Sequence, residues 1–286
     1  MRNLDIITQN RNRSWKFTKN ILTYLFLIIL SIICFIPFYI MIINATHSNV
    51  EINNGLNLLP GRYLLDNYKR MSESINIWKG FSNSLLISIV STLLTAYFAS
   101  LTAYGFAKFK FRGNKVLYWF VLSTMMVPGQ LGLIGYFQLN KKLGLLDTYL
   151  PLILPAIANG NAVFWINSYI GSSISNSLIE SARIDGCQEL KIFNKIILPL
   201  IVPAIATISI FNFVASWNDF MRPLVLIFSP SKFTLPVLVA NLRGTYTRDF
   251  GATYLGIAIS VVPIMIAYVF LSRYILNGLT IGAVKE

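Results

Sequence analysis

His47 is the only histidine in the chain, and neither cysteine nor any cluster of carboxylates lies beside it in sequence. A metal site needs several such ligands, and a nucleophilic triad needs a histidine within reach of Ser or Cys, so His47 reads as a solvated loop residue. The Gly-x4-Gly-Lys-Ser/Thr phosphate loop is absent, so ATP is not expected to bind here by that route. Cys34 falls inside an apolar run and Cys187 in a distant polar stretch, which makes a disulfide between them implausible. The residues offer the chemistry of contact rather than of catalysis. Glu180 to Pro203, ESARIDGCQELKIFNKIILPLIVP, is too polar for a bilayer core, yet apolar runs flank it. Ile174, Leu178 and Ala182 recur every four residues before Asp185-Gly186, and Leu190, Phe193 and Ile197 recur at three and four after it. Those are the spacings of one helical face. Gly186 suits the left-handed position that ends a helix, Asp185 bonds locally in such a turn, and Pro199 punctuates entry into the next apolar run. The stretch predicts a helix-turn-helix at a membrane surface, presenting an apolar strip and a few charges to a partner.

A second set of residues sits within the apolar runs or at their ends: Asn159, Asn161, Trp165, Asn167, Asn212, Trp217 and Asn218. Amides and indoles supply the hydrogen bonds and stacking faces that a sugar needs. Amides also bond membrane helices to one another. Both readings stand on the sequence.

The elements that must position these residues are legible in the hydropathy. Mean hydropathy is +0.61, and 55% of residues are hydrophobic, gathered in blocks. A bilayer core needs about 20 apolar residues per helix. Six segments qualify, roughly 21–43, 81–106, 116–138, 149–171, 196–217 and 252–273. They predict an all-α, polytopic membrane protein with six transmembrane helices and a cytoplasmic coupling helix-turn-helix between helices 4 and 5. Met125 to Gln130, with Pro128-Gly129, predicts a break in the third span, either a packing kink or a partly polar wall of a pathway. The expected organisation is a basic cytoplasmic arm (1–20), a first span and outer loop (21–80), a transmembrane core (81–277, with the coupling loop at 172–197) and a cytoplasmic tail (278–286).

The net charge of +13 is distributed by topology rather than along a nucleic-acid surface. Arg2, Arg11, Arg13, Lys16 and Lys19 precede the first span, and Lys108, Lys110, Arg112 and Lys115 fill a short loop, which places both termini in the cytoplasm. Arg62, Lys69, Arg70, Arg222, Arg243 and Arg248 fall outside, so the arm decides the orientation. No Asp, Glu, Lys, Arg or His interrupts the six runs, which leaves a coupling ion nothing to bind within the membrane. Energy for transport must then arrive from another chain, through the helix-turn-helix. The alternative, a facilitator working without ATP, leaves that element unexplained.

The stretch Glu180-Ser181-Ala182-x-x-Asp185-Gly186, followed by Phe193, Leu198-Pro199-Leu200 and Pro203, resembles the EAA loop of permease subunits of bacterial ABC importers. Phe81-Ser82-Asn83-Ser84, Met125-Met126-Val127-Pro128, Gly144-Leu145-Leu146-Asp147-Thr148, Trp217-Asn218-Asp219-Phe220 and the terminal Gly278-Leu279-Thr280-x-Gly282-Ala283-Val284-Lys285 resemble the smaller permease of maltose-type carbohydrate importers. The likeness runs from residue 81 to the end. Ser181 and Cys187 depart from the usual alanines, and both are small. The resemblance implies a heterodimer with a second permease, two ATPase subunits that carry the ATP and Mg, and an extracytoplasmic sugar-binding protein. No cofactor is expected on this chain. Glu180 would pair with a basic residue of the ATPase, Ala182 and Gly186 would allow close approach, Asp185 would shape the turn, and Phe193 would anchor the second helix on the permease body. The outer segment 221–251 and the loop 44–80 would meet the binding protein, and the tail would reach the ATPase.

Overall fold

Backbone amides find no water in hydrocarbon, so apolar runs close their hydrogen bonds internally as helices. The computed structural model describes residues 2–242 and 249–283, with side chains over 19–242 and 249–270. Among the described residues every regular element is helical. In order these are α1 (Arg2–Asn44), α2 (Asn49–Asn53), α3 (Leu64–Ser74), α4 (Ile77–Lys108), α5 (Asn114–Thr124), α6 (Leu133–Lys142), α7 (Leu150–Ile153) and α8 (Gly160–Ser173). They continue with α9 (Asn176–Ile184), α10 (Glu189–Ile192), α11 (Leu198–Leu200), α12 (Val202–Trp217), α13 (Met221–Leu226), α14 (Leu235–Asn241) and α15 (Phe250–Ala283). Single 3-10 turns lie at Gly129–Gly132, Leu154–Ala158 and Pro230–Lys232, and a π turn at Phe193–Ile197.

Four segments are long and apolar enough to cross a membrane: Lys19–Asn44, Ile77–Lys108, Leu150–Ser173 and Phe250–Phe270. The other two expected spans are bent pairs. Asn114–Thr124 and Gly129–Lys142 meet at 87°, and Glu189–Leu200 and Val202–Trp217 at 78°. Counting each pair as one crossing gives six. The first bend falls at the expected Met125–Gln130 break, where Pro128 has no N–H to donate and disfavours a helical conformation before it. The second falls at Ile201, so the run expected as one span over 196–217 starts its straight portion at Val202. Pro203 lies in the first turn of α12, where an N–H would have no partner in any case. The connections expected outside the spans contain helices of their own, α2 and α3 in one, α13 and α14 in the other.

The chain divides into two compact units, Met1–Met71 with Arg243–Ala258, and Ser72–Leu242 with Ile259–Glu286. In the first, buried Asn67 donates to the carbonyls of Ala45 at 2.7 Å and His47 at 2.9 Å, and Arg70 pairs with Asp249 at 2.6 Å. His47 lies 2.9 Å from both the Glu51 carboxylate and the Leu59 carbonyl, a loop-closing role. In the second unit α4 is the hub, packed against α8, α12 and α14. Its small residues Ser88, Ser91, Ala99, Ser100 and Ala103 are all buried, and such residues let helix backbones approach closely. The core they enclose continues through Ile166, Ile170, Phe193, Ile197 and Ile201, each fully buried, and each such side chain contributes about 1.5–3 kcal/mol.

Candidate functional site

The helix-turn-helix expected at 180–203 is present as α9 and α10. Ala182, Asp185 and Gly186 close the first helix. Gly186 adopts φ +75°, the Gly186 N–H donates to Arg183 O at 3.0 Å, and the Cys187 N–H reaches back to Ala182 O at 3.0 Å. That pair of bonds is a Schellman cap, which uses up carbonyls a helix end otherwise leaves unpaired. Glu180, Ser181, Asp185, Gly186 and Pro199 are exposed, whereas Ala182 and Phe193 are buried. Phe193 packs edge-on to Tyr97, with ring centroids 5.7 Å apart, and tilted against Tyr104 at 5.8 Å.

Of the strip expected to face a partner, Leu178 and Leu190 are exposed, whereas Ile174, Ala182, Phe193 and Ile197 are buried. Ile174 belongs to the end of α8, so the spacing counted from it crosses a helix boundary and α9 takes its own phase, burying Ile179 and Ala182. After the turn, α10 passes at once into the π turn. The Leu198 N–H bonds to Phe193 O, five residues back, an arrangement that accommodates a proline one residue later. Ile192, Phe193 and Ile197 turn inward, and Leu190 turns out. At the knuckle Ile184 is 86% exposed and Leu190 62%. The element therefore carries two apolar faces, one rooted in the core and one exposed among the described residues.

Charges brace it in a way the sequence did not disclose. Glu189 accepts from Arg183 at 2.6 Å and from the Tyr104 hydroxyl of α4 at 3.0 Å. The Arg183 guanidinium also lies 5.4 Å from the centre of the Phe109 ring. Lys108, at the end of α4, donates to Ile174 O at 2.6 Å and Asn176 Oδ1 at 3.0 Å. Opposite charges on either side of Asp185-Gly186 were a faint signal for the first pair, but nothing in the sequence joins Tyr104 to a residue 85 positions away. Glu180 lies with Lys108, Lys110, Asn176 and Arg183 along a cleft of about 280 Å³.

Of the second set, Asn159, Asn161, Trp165 and Asn212 come together around one pocket of about 340 Å³, with Phe211. Asn159 Oδ1 caps α8 by accepting from Ala162 N at 3.1 Å, and its Nδ2 donates to Asn212 Oδ1 at 3.1 Å. Asn161, Trp165 and Phe211 are exposed toward the opening. Trp217 and Asn218 are not part of it. Trp217 is buried between Phe81 and Phe213 and donates its indole N–H to Ser260 O at 2.9 Å. Asn218 is the exposed cap of α12. Of the expected tail, Gly278 to Ala283 continue α15, while Val284 to Glu286, like Arg243 and Arg248, lie outside the described residues.

Fold and surface together define a multi-pass helical membrane subunit with a core-rooted helical knuckle at one end of α12. Residues 93–280 match the model of the binding-protein-dependent transport system inner membrane component family, and the chain belongs to that family. It is 37% identical to the arabinooligosaccharides transport system permease protein of Halalkalibacterium halodurans, over 94% of this chain and 98% of that one. It is 32% identical to the probable starch degradation products transport system permease protein of Thermoanaerobacterium thermosulfurigenes, over 94% of this chain and 97% of that one. Among solved structures, a chain of a bacterial ABC transporter involved in the import of the acidic polysaccharide alginate superposes with TM-score 0.76 at 24% identity, covering 90% of this chain and 96% of that one. That likeness establishes the fold.

Proposed function

We propose that this chain is a transmembrane permease subunit of an ATP-driven importer that moves an oligosaccharide delivered by an extracytoplasmic binding protein. The observation that carries the coupling half of this reading is the knuckle at Ile184 and Leu190, apolar and uncovered at one end of a helix pair whose other face is locked into the core. An isolated membrane subunit has no reason to expose Ile184 in water; a groove on an ATPase subunit supplies the missing cover. In this reading α9 and α10 are cytoplasmic, both termini share that side, and each bent pair is one of six crossings. The partners are a second permease and two ATPase subunits holding ATP and Mg. Closure of the ATPase pair pushes on the knuckle, and the bracing through Tyr104, Glu189 and Phe193 passes the push to α4 as a rigid-body movement.

The pocket at Asn159, Asn161, Trp165 and Asn212 is the sugar-facing surface of this chain. Its lining holds three amides and two aromatic faces and no ionisable side chain. Amides match hydroxyls and rings match the C–H faces of a pyranose, so the cargo that fits is uncharged. Glu180→Arg and Gly186→Pro test the coupling. Each is expected to leave the protein in the membrane while ATP hydrolysis proceeds without uptake in the reconstituted complex. Normal uptake by both variants would overturn the coupling role.

A further inference from the structure

Two sequence motifs have no part in the mechanism above, Phe81-Ser82-Asn83-Ser84 and Gly144-Leu145-Leu146-Asp147-Thr148, and both close on residues 226–235. From α4, buried Asn83 donates to Ser231 O at 3.0 Å and Phe233 O at 2.9 Å, and Ser84 Oγ accepts from Leu235 N at 2.8 Å. From the connection before α7, the Asp147 carboxylate accepts from four donors: the N–H groups of Phe228 at 3.0 Å and Ser229 at 2.9 Å, the Ser229 hydroxyl at 2.6 Å and the Lys232 ammonium at 2.9 Å. The Asp147 N–H donates in turn to Leu226 O at 2.8 Å, and Lys232 also reaches Asp147 O at 2.6 Å. Asp147 holds φ +57°. Glycine would serve that turn with less strain, so the carboxylate is there for the segment it grips.

The gripped segment follows the end of α12 opposite the knuckle; with the bent pair counted as one crossing, it emerges on the other side of the membrane. Phe228, its N–H fixed by Asp147, leaves its side chain 56% exposed, and Leu224, four positions earlier in the chain, is 45% exposed. On the reading of this chain as an importer permease, the partner on that side is the loaded binding protein. We propose that Asp147 is a positioning residue for delivery: it fixes residues 226–232 as a rigid platform on which the binding protein seats against Phe228.

The test uses the complete complex in proteoliposomes and the cognate binding protein purified with its bound sugar. Asp147→Gly keeps the left-handed turn and removes only the grip. A platform competent about one-tenth of the time raises the apparent half-saturating concentration about tenfold. Asp147→Gly is therefore expected to raise the half-saturating concentration of binding protein by that factor with the maximal rate nearly unchanged, and Phe228→Ala to move the same quantity. An unchanged half-saturation in Asp147→Gly, whether or not the maximal rate or the yield of complex falls, would overturn the proposal and leave Asp147 a purely structural residue. If the wild-type complex shows no stimulation by the binding protein, the importer reading itself fails, and this proposal with it.

Discussion

Single residues set the sharpest expectations. Gly186 has φ +75° with open space where a side chain would go. Gly186→Ala meets only the left-handed penalty of about 1–2 kcal/mol, whereas proline locks φ near −65° and cannot close the Schellman cap. Alanine is thus expected to retain coupled uptake and proline to lose it; equal loss in both would mean that a close contact with the partner, rather than backbone conformation, governs the position. Asp147 offers a pH test. The Ser229 hydroxyl, with Lys232 and the Ser229 and Phe228 N–H groups, holds its carboxyl well below the usual carboxylate range. A depressed folded pKa adds stability above the unfolded value of about 3.9, and the gain is lost as pH falls toward the folded value. The melting temperatures of wild type and Asp147→Asn should differ by a constant amount from pH 8 to about 5 and converge on acidification below about 4. A difference that varies between pH 6 and 8 would assign the effect to another group.

At the scale of elements, the knuckle acts as a lever only if its root is stiff. Phe193 is fully buried, and truncating such a phenylalanine costs about 3–5 kcal/mol. Phe193→Ala is expected to lower the melting point strongly and to uncouple whatever complex survives. Tyr104→Phe keeps the ring packing and deletes one hydrogen bond, worth about 1 kcal/mol, so it should melt close to wild type; a collapse comparable with Phe193→Ala would place the stiffness in the polar brace instead. The sequence disclosed these elements unevenly. Gly186 and Phe193 were readable because a left-handed cap and a large apolar side chain at helical spacing have few other uses. Ile174 and Ala182, expected on the partner-facing strip with Leu178 and Leu190, are buried, because a periodicity counted across a helix boundary carries no phase. The Met125–Gln130 break was visible in its Pro-Gly pair. The 78° bend at Ile201 was not, since Pro199 and Pro203 also fit the first turns of helices.

For the molecule as a whole, hydropathy alone located the four long apolar helices, because a helix satisfies the backbone of an apolar run within the run itself. It could not reveal the grip of Asp147 on 226–232 or that of Glu189 on Tyr104, which join residues about 80 positions apart. Nor could it separate Trp217, sealed among aromatics, from Trp165, open at the pocket. Polar residues in an apolar run look alike until the helices are rotated into place.

On this reading, transport by this chain draws its energy from another subunit. Purifying the tagged chain from its native membrane in mild detergent, and identifying by mass what stays bound, tests that most directly. The expected result is a complex with a second permease and an ATPase, retained but uncoupled in Glu180→Arg. A stable lone chain, or a homodimer that moves sugar in liposomes without ATP, would contradict it.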